Sequence, residues 1–174
     1  MEVIKYPIGR FHFDATQAPK LHAQWLQQLQ ALPADVAKAV AGLNDNQLDT
    51  AYRDGGWTLR QVVHHLADSH MNSYIRMRLA LTETLPVVKP YDENAWAELP
   101  DARRGPIAPS LQILTGVHAR WVALLQTLPG ADFAREFDHP QSGRHSLAWA
   151  LAHYAWHGRQ HCAHIAGLRG RLGW

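Results

Sequence analysis

With 174 residues, 47% of them hydrophobic and 18% charged, the chain has the size and balance of one globular domain with a real core. A net charge of +2 and a pI near 8.9, with no run of Lys or Arg, argue against nucleic acid as a partner. The single cysteine, Cys162, excludes an internal disulfide and fits a reducing compartment. No signal peptide and no apolar run of about 18 residues is present, so the expectation is a soluble cytoplasmic protein without a membrane partner.

Residues 1–15 read as an extended arm punctuated by Pro7 and Gly9. A first helix is expected from near Thr16, with Pro19 in its first turn. Leu21, Trp25, Leu29 and Leu32 recur at helical spacing. Pro33 should kink or restart the helix, and Val36 and Val40 carry the stripe on to Gly42 at the C-cap. After a polar loop ending in Asp54-Gly55-Gly56, Thr58 and Gln61 form a capping box and Trp57 and Val62 a hydrophobic staple. They open a second helix whose apolar stripe is Leu59, Val62, Leu66, Tyr74, Met77 and Leu81. His65 lies on the flank of that stripe, in line with Ser69, Asn72 and Arg76, while His64 points almost the opposite way, toward solvent.

Residues 84–109 contain five prolines and predict one short helix, over Asp92 to Leu99. A connection this long is functional or a crossover. A third helix is expected from Ser110 to Leu128, with Leu114, Val117, Trp121, Leu124 and Leu128 inward and Pro129-Gly130 as its stop. Residues 130–145 read as irregular and hold His139 and His145. The last helix runs from its N-cap, Ser146, to Arg169. It carries His153, His157, His161 and His164 along the flank of an apolar stripe of Leu147, Leu151, Tyr154, Ala155, Cys162 and Ile165.

Four long amphipathic helices predict an all-α fold, a single four-helix bundle over residues 1–174. The 84–109 crossover can run the length of the bundle, so that helices 2 and 3 lie parallel in an up-down-down-up order. Helix 4 is then antiparallel to helix 2. His65 lies roughly 10 Å along helix 2, and His161 about 12 Å from the end of helix 4, at 1.5 Å per residue. The antiparallel order therefore brings His65 to His157 and His161; a parallel order would bring it to His153. Two imidazoles at i, i+4 can grip one ion, and a third completes an open site. Spacing by itself does not separate such a site from partly buried, hydrogen-bonded core histidines.

Longer patterns bear on that choice. Trp57 is followed eight residues later by His65-Leu66, and the last helix carries His157-Gly-Arg-Gln-His161-Cys-Ala-His164. Both resemble signatures of the DinB/YfiT-like superfamily. The strings KYPIG, GGWTLRQVVHH, ADSHMNSYIR and YAWHGRQH, and the terminal Trp174, extend the resemblance to the YfiT-like metal-dependent hydrolases over essentially the whole chain. The resemblance implies a four-helix bundle, often a homodimer, with one divalent ion per chain held by His65, His157 and His161. Zinc is the first expectation and nickel the second. His164 stands where many relatives have glutamine, which implies a place beside the ligands. Asp68 could orient His65 or pair with the solvent-facing His64, and Asn72 and Arg76 could hold an anionic small-molecule substrate or form a surface ion pair.

Such an ion activates water for hydrolysis. His157-Gly-Arg-Gln-His161 lacks the glutamate of H-E-x-x-H, however, so peptidase chemistry is disfavoured. The superfamily's low-molecular-weight thiol chemistry makes a metal-dependent thiol S-transferase the alternative, since the metal can itself make the thiolate. A non-catalytic, metal-stabilised interaction module is the third reading. Cys162 sits in the apolar stripe and reads as inert packing.

Overall fold

The computed structural model describes residues 2–174. Its helices are α1 (Glu2–Lys5), α2 (Ala18–Val40), α3 (Asp45–Leu48), α4 (Leu59–Thr82), α5 (Glu93–Ala97), α6 (Pro100–Arg104), α7 (Ala108–Thr127) and α8 (Leu147–Leu172). A 3-10 turn, Gly130–Ala134, leads into a hairpin of β1 (Glu136–His139) and β2 (Gly143–Ser146). Among the described residues no helix is long and apolar enough to cross a membrane.

The long helices begin where their caps predict. The Thr58 N–H donates to the Gln61 side chain and the Gln61 N–H to the Thr58 hydroxyl, which starts α4. The Ser146 hydroxyl accepts from the Trp149 N–H and starts α8. Contacts along the helices give their directions. His64, His70 and Met77 of α4 meet Ser110, His118 and Trp121 of α7 in the same order, so those two helices run parallel. His65 meets His161 and His157, whereas Ser69 meets Tyr154, so α4 and α8 run antiparallel. Leu32 packs on Gly158, and Arg169 donates to the Ala39 carbonyl, so α2 and α8 run parallel. The order is up-down-down-up, with residues 84–109 as the long crossover.

Two apolar clusters fill the bundle. One centres on Met77, Trp121, Leu125, Leu147 and Leu151, the other on Val36, Leu59, Val62, Leu66, Leu114 and Ile165. The histidine layer lies between them: His70 packs on Trp121 and Tyr154, and His65 on Trp57.

Several expectations are corrected. The N-terminal arm is not wholly extended, because Glu2–Lys5 closes a helical turn and is pinned to α8. The Lys5 carbonyl there accepts from Gln160 Nε2 at 2.9 Å and lies 3.1 Å from His164 Nε2. Pro33 does not restart its helix, since α2 runs unbroken through it. The crossover holds two short helices rather than one, because Pro100 opens a second turn directly after Leu99. Residues 130–145 are not irregular. Gly143, at φ +87°, gives the left-handed turn that lets β2 fold back on β1, and Val88 and Asp138 stitch the crossover to β1. His64 is not solvated either. It is 8% exposed, with Nδ1 2.8 Å from Ser110 Oγ and Nε2 3.3 Å from the Gly105 carbonyl, because α7 and the end of the crossover cover that face of α4.

Candidate metal centre

The capping box sets the start of α4, and two helical turns later His65 points across to α8. There His157 and His161, one turn apart, face it. One ring nitrogen from each of the three histidines lies within 4.8 Å of the other two. His65 Nε2 and His157 Nε2 are 3.1 Å apart. A tetrahedral ion 2.0–2.1 Å from each ligand would hold two such nitrogens about 3.3 Å apart. An all-imidazole donor set of this size fits a borderline divalent cation such as zinc or nickel.

Burial makes these rings good donors. It holds His65 down to about 4 and His157 and His161 well below the ordinary histidine range, and the neighbouring imidazoles push the latter two lower still. The lone pairs are therefore free near neutral pH. Trp57 walls one side, 4.5 Å from the His65 ring and stacked at 6.4 Å on His161. His157 is the least enclosed of the three. Among the described residues, no carboxylate hydrogen-bonds to any of these rings.

The other candidates take different places. His164 stands behind His161, with Nδ1 3.4 Å from His161 Nδ1, and is stacked on Tyr52. Asp68 is half-buried, its carboxyl pushed up to about 6 by burial and then by Asp101, and it makes no hydrogen bond to His65. The Asn72 amide donates to the Asp68 main-chain carbonyl one turn back. Arg76 donates to the Lys89 carbonyl and so clamps the crossover to α4. It also lines a surface cavity of about 480 Å³ with Tyr91, Glu93 and His139. His153 lies outside the cluster, stacked on Trp149. His145 also stacks on that indole, at 3.6 Å, and His139 lies on β1. Burial pushes the Cys162 thiol up to about 12, which suits packing and not nucleophilic chemistry.

Two histidines that spacing did not single out complete the layer. His70 and His118 are 0% and 1% exposed and hydrogen-bonded to each other at 3.0 Å. His118 was findable, because Leu114, His118, Trp121 and Leu125 recur at four, three and four residues and all are buried. His70, five residues beyond His65, falls off the face that i, i+4 counting follows.

Residues 22–165 match the family model described as the DinB superfamily. A protein of Bacillus mycoides (strain KBAB4), provisionally named a metal-dependent hydrolase, is 52% identical over 174 residues, 100% of both chains. A Bacillus cereus (strain B4264) protein of similar name is 51% identical with the same coverage. Among solved structures, YfiT from Bacillus subtilis, described as a probable metal-dependent hydrolase with an unusual four-helix bundle topology, matches with a TM-score of 0.96. It is 48% identical over 99% of each chain.

Proposed function

The chain belongs to the DinB superfamily, and from that premise we propose that it is a metal-dependent hydrolase holding one divalent ion on His65, His157 and His161. The observation that carries this reading is the convergence of three neutral imidazoles, one from α4 and two from α8, within reach of one ion. The names of the similar Bacillus proteins support it. When bound, such an ion supplies Lewis acidity, polarising a substrate oxygen or acidifying water.

The chain's own residues do the remainder. Desolvation keeps the three rings unprotonated. Trp57 excludes water from one side, packed 4.5 Å from the His65 ring. The Ser69 hydroxyl donates to the Tyr154 hydroxyl at 3.5 Å on the same two helices, which leaves the Tyr154 O–H and the buried Tyr91 hydroxyl from the crossover as donors for a substrate oxygen.

One observation favours a second reading, transfer of a low-molecular-weight thiol. No carboxylate hydrogen-bonds to the described cluster, so no carboxylate stands there as general base for water, and a thiol, far more acidic than water, would need none. The deciding experiment loads purified protein with zinc or nickel, or strips it with chelator. It then assays esters, amides, and electrophiles offered with small thiols. Metal-dependent, thiol-independent hydrolysis that His157→Ala abolishes is expected. Turnover that strictly requires thiol would reverse the order of the two readings. Absence of any metal-dependent turnover would leave a metal-stabilised interaction module. Cys162→Ala should keep activity in either enzymatic case.

A further inference from the structure

We propose that His70 and His118 are positioning residues. On this reading they set the tautomer and direction of His157 through a chain of imidazole hydrogen bonds anchored on the main-chain carbonyl of Leu29. The inference rests on His157 being a metal ligand.

The chain starts with Pro33. A proline has no N–H, so the carbonyl four residues earlier in α2, that of Leu29, lacks its helical donor. His118 Nδ1 lies 2.6 Å from that oxygen. A carbonyl can only accept, so His118 Nδ1 carries the hydrogen and, in a neutral ring, Nε2 is bare. His118 Nε2 is 3.0 Å from His70 Nδ1, which must therefore be the N–H. His70 Nε2 is then bare and lies 3.2 Å from His157 Nδ1, which must donate in turn. That leaves the His157 Nε2 lone pair, and this is the nitrogen that faces His65 Nε2 at 3.1 Å. Each link follows from the one before, and only one sense of the chain satisfies the carbonyl.

Two buried imidazoles thus occupy core positions where apolar side chains would pack without the cost of desolvating a polar ring. Their hydrogen-bonding capacity is used in full, and it ends on a ligand. A ligating histidine ordinarily gives its other N–H to an acceptor that fixes its orientation, and removing such an acceptor typically costs 10–100-fold in metal affinity. Here the acceptor is itself a histidine, held in turn by a second one.

The test reads tautomers and affinity together. Nitrogen-15 side-chain spectra of the wild-type protein, metal-free and with one equivalent of zinc, should show His70 and His118 as the neutral Nδ1–H tautomer in both states. His157 should be Nδ1–H when zinc is bound. His118→Phe and His70→Phe should each weaken zinc binding by about 10–100-fold and shift the visible spectrum of the cobalt(II)-loaded protein. A purely structural role would lower the melting temperature and leave affinity and spectrum unchanged, which would overturn the relay. So would an Nε2–H or doubly protonated His70 or His118 in the wild type, a measurement that needs no variant to fold. Failure of the wild type to bind zinc or nickel would overturn the metal reading itself. Zinc bound with the same affinity by wild type and His118→Phe would overturn the relay alone.

Discussion

Desolvation, with no charged partner, keeps the cluster's histidines neutral, so their value as donors depends on staying buried and aimed. Removing any one should leave two ligands on a site with no carboxylate to compensate. His65→Ala, His157→Ala and His161→Ala are each expected to lose the tightly bound ion, from one per chain to none after gel filtration, read by metal analysis. His153→Ala should keep it, because that ring stacks on Trp149 outside the cluster. His64→Ala should also keep it, but at a cost of about 1–3 kcal/mol in chemical denaturation, since the buried Ser110 hydroxyl loses its imidazole partner. Loss of metal in His64→Ala with retention in His65→Ala would overturn the assignment of the α4 face.

At the scale of elements, the placing of His157 depends on how closely α8 approaches α2. Gly158 is the contact: a Cβ there would lie 2.4 Å and 2.6 Å from the two Leu32 methyl carbons, and Leu32 is only 2% exposed. Two effects oppose each other in Gly158→Ala. Helix propensity favours alanine by about 1 kcal/mol. Overpacking a filled core costs about 1–3 kcal/mol and moves the backbone. The second should win, so Gly158→Ala is expected to unfold at lower urea concentration than wild type. Because residue 158 adjoins a proposed ligand, zinc affinity should fall as well. A variant more stable than wild type would mean that Leu32 has room the packing does not suggest.

At the scale of the whole molecule, the buried histidines make the fold sensitive to acid. Burial lowers His118 and His153 to about 4 and His70 well below its ordinary 6.5. Between about 6.5 and 4 the unfolded chain therefore binds protons that the folded chain does not, and stability falls as the pH falls. Asp68, raised to about 6, and Glu93, also raised by burial, act in the opposite sense, because their folded carboxyls take up protons first. The histidines outnumber them. The metal-free protein should lose about 1.4 kcal/mol per pH unit for each net proton across this window and be level above it. Zinc should hold its ligands unprotonated and displace the loss to lower pH. Melting temperatures from pH 4 to 8, with and without zinc, check both statements; a metal-free protein equally stable at pH 4.5 and 7.5 would contradict them.

Local signals in the sequence determined the start of α4 through Thr58 and Gln61 and the start of α8 through Ser146. They also determined the shared face of His157 and His161 and a bundle order that follows from the length of residues 84–109. Caps and periodicity act within one element, so one chain suffices to read them. Which neighbour covers a given face is a long-range matter, and there the tertiary structure decided. It buried His64 against Ser110, folded residues 136–146 into a hairpin, and brought His118 to the carbonyl that Pro33 leaves without a helical donor. His70 reached His157 by the same means: two residues 87 positions apart became hydrogen-bond partners only because α4 and α8 pack antiparallel.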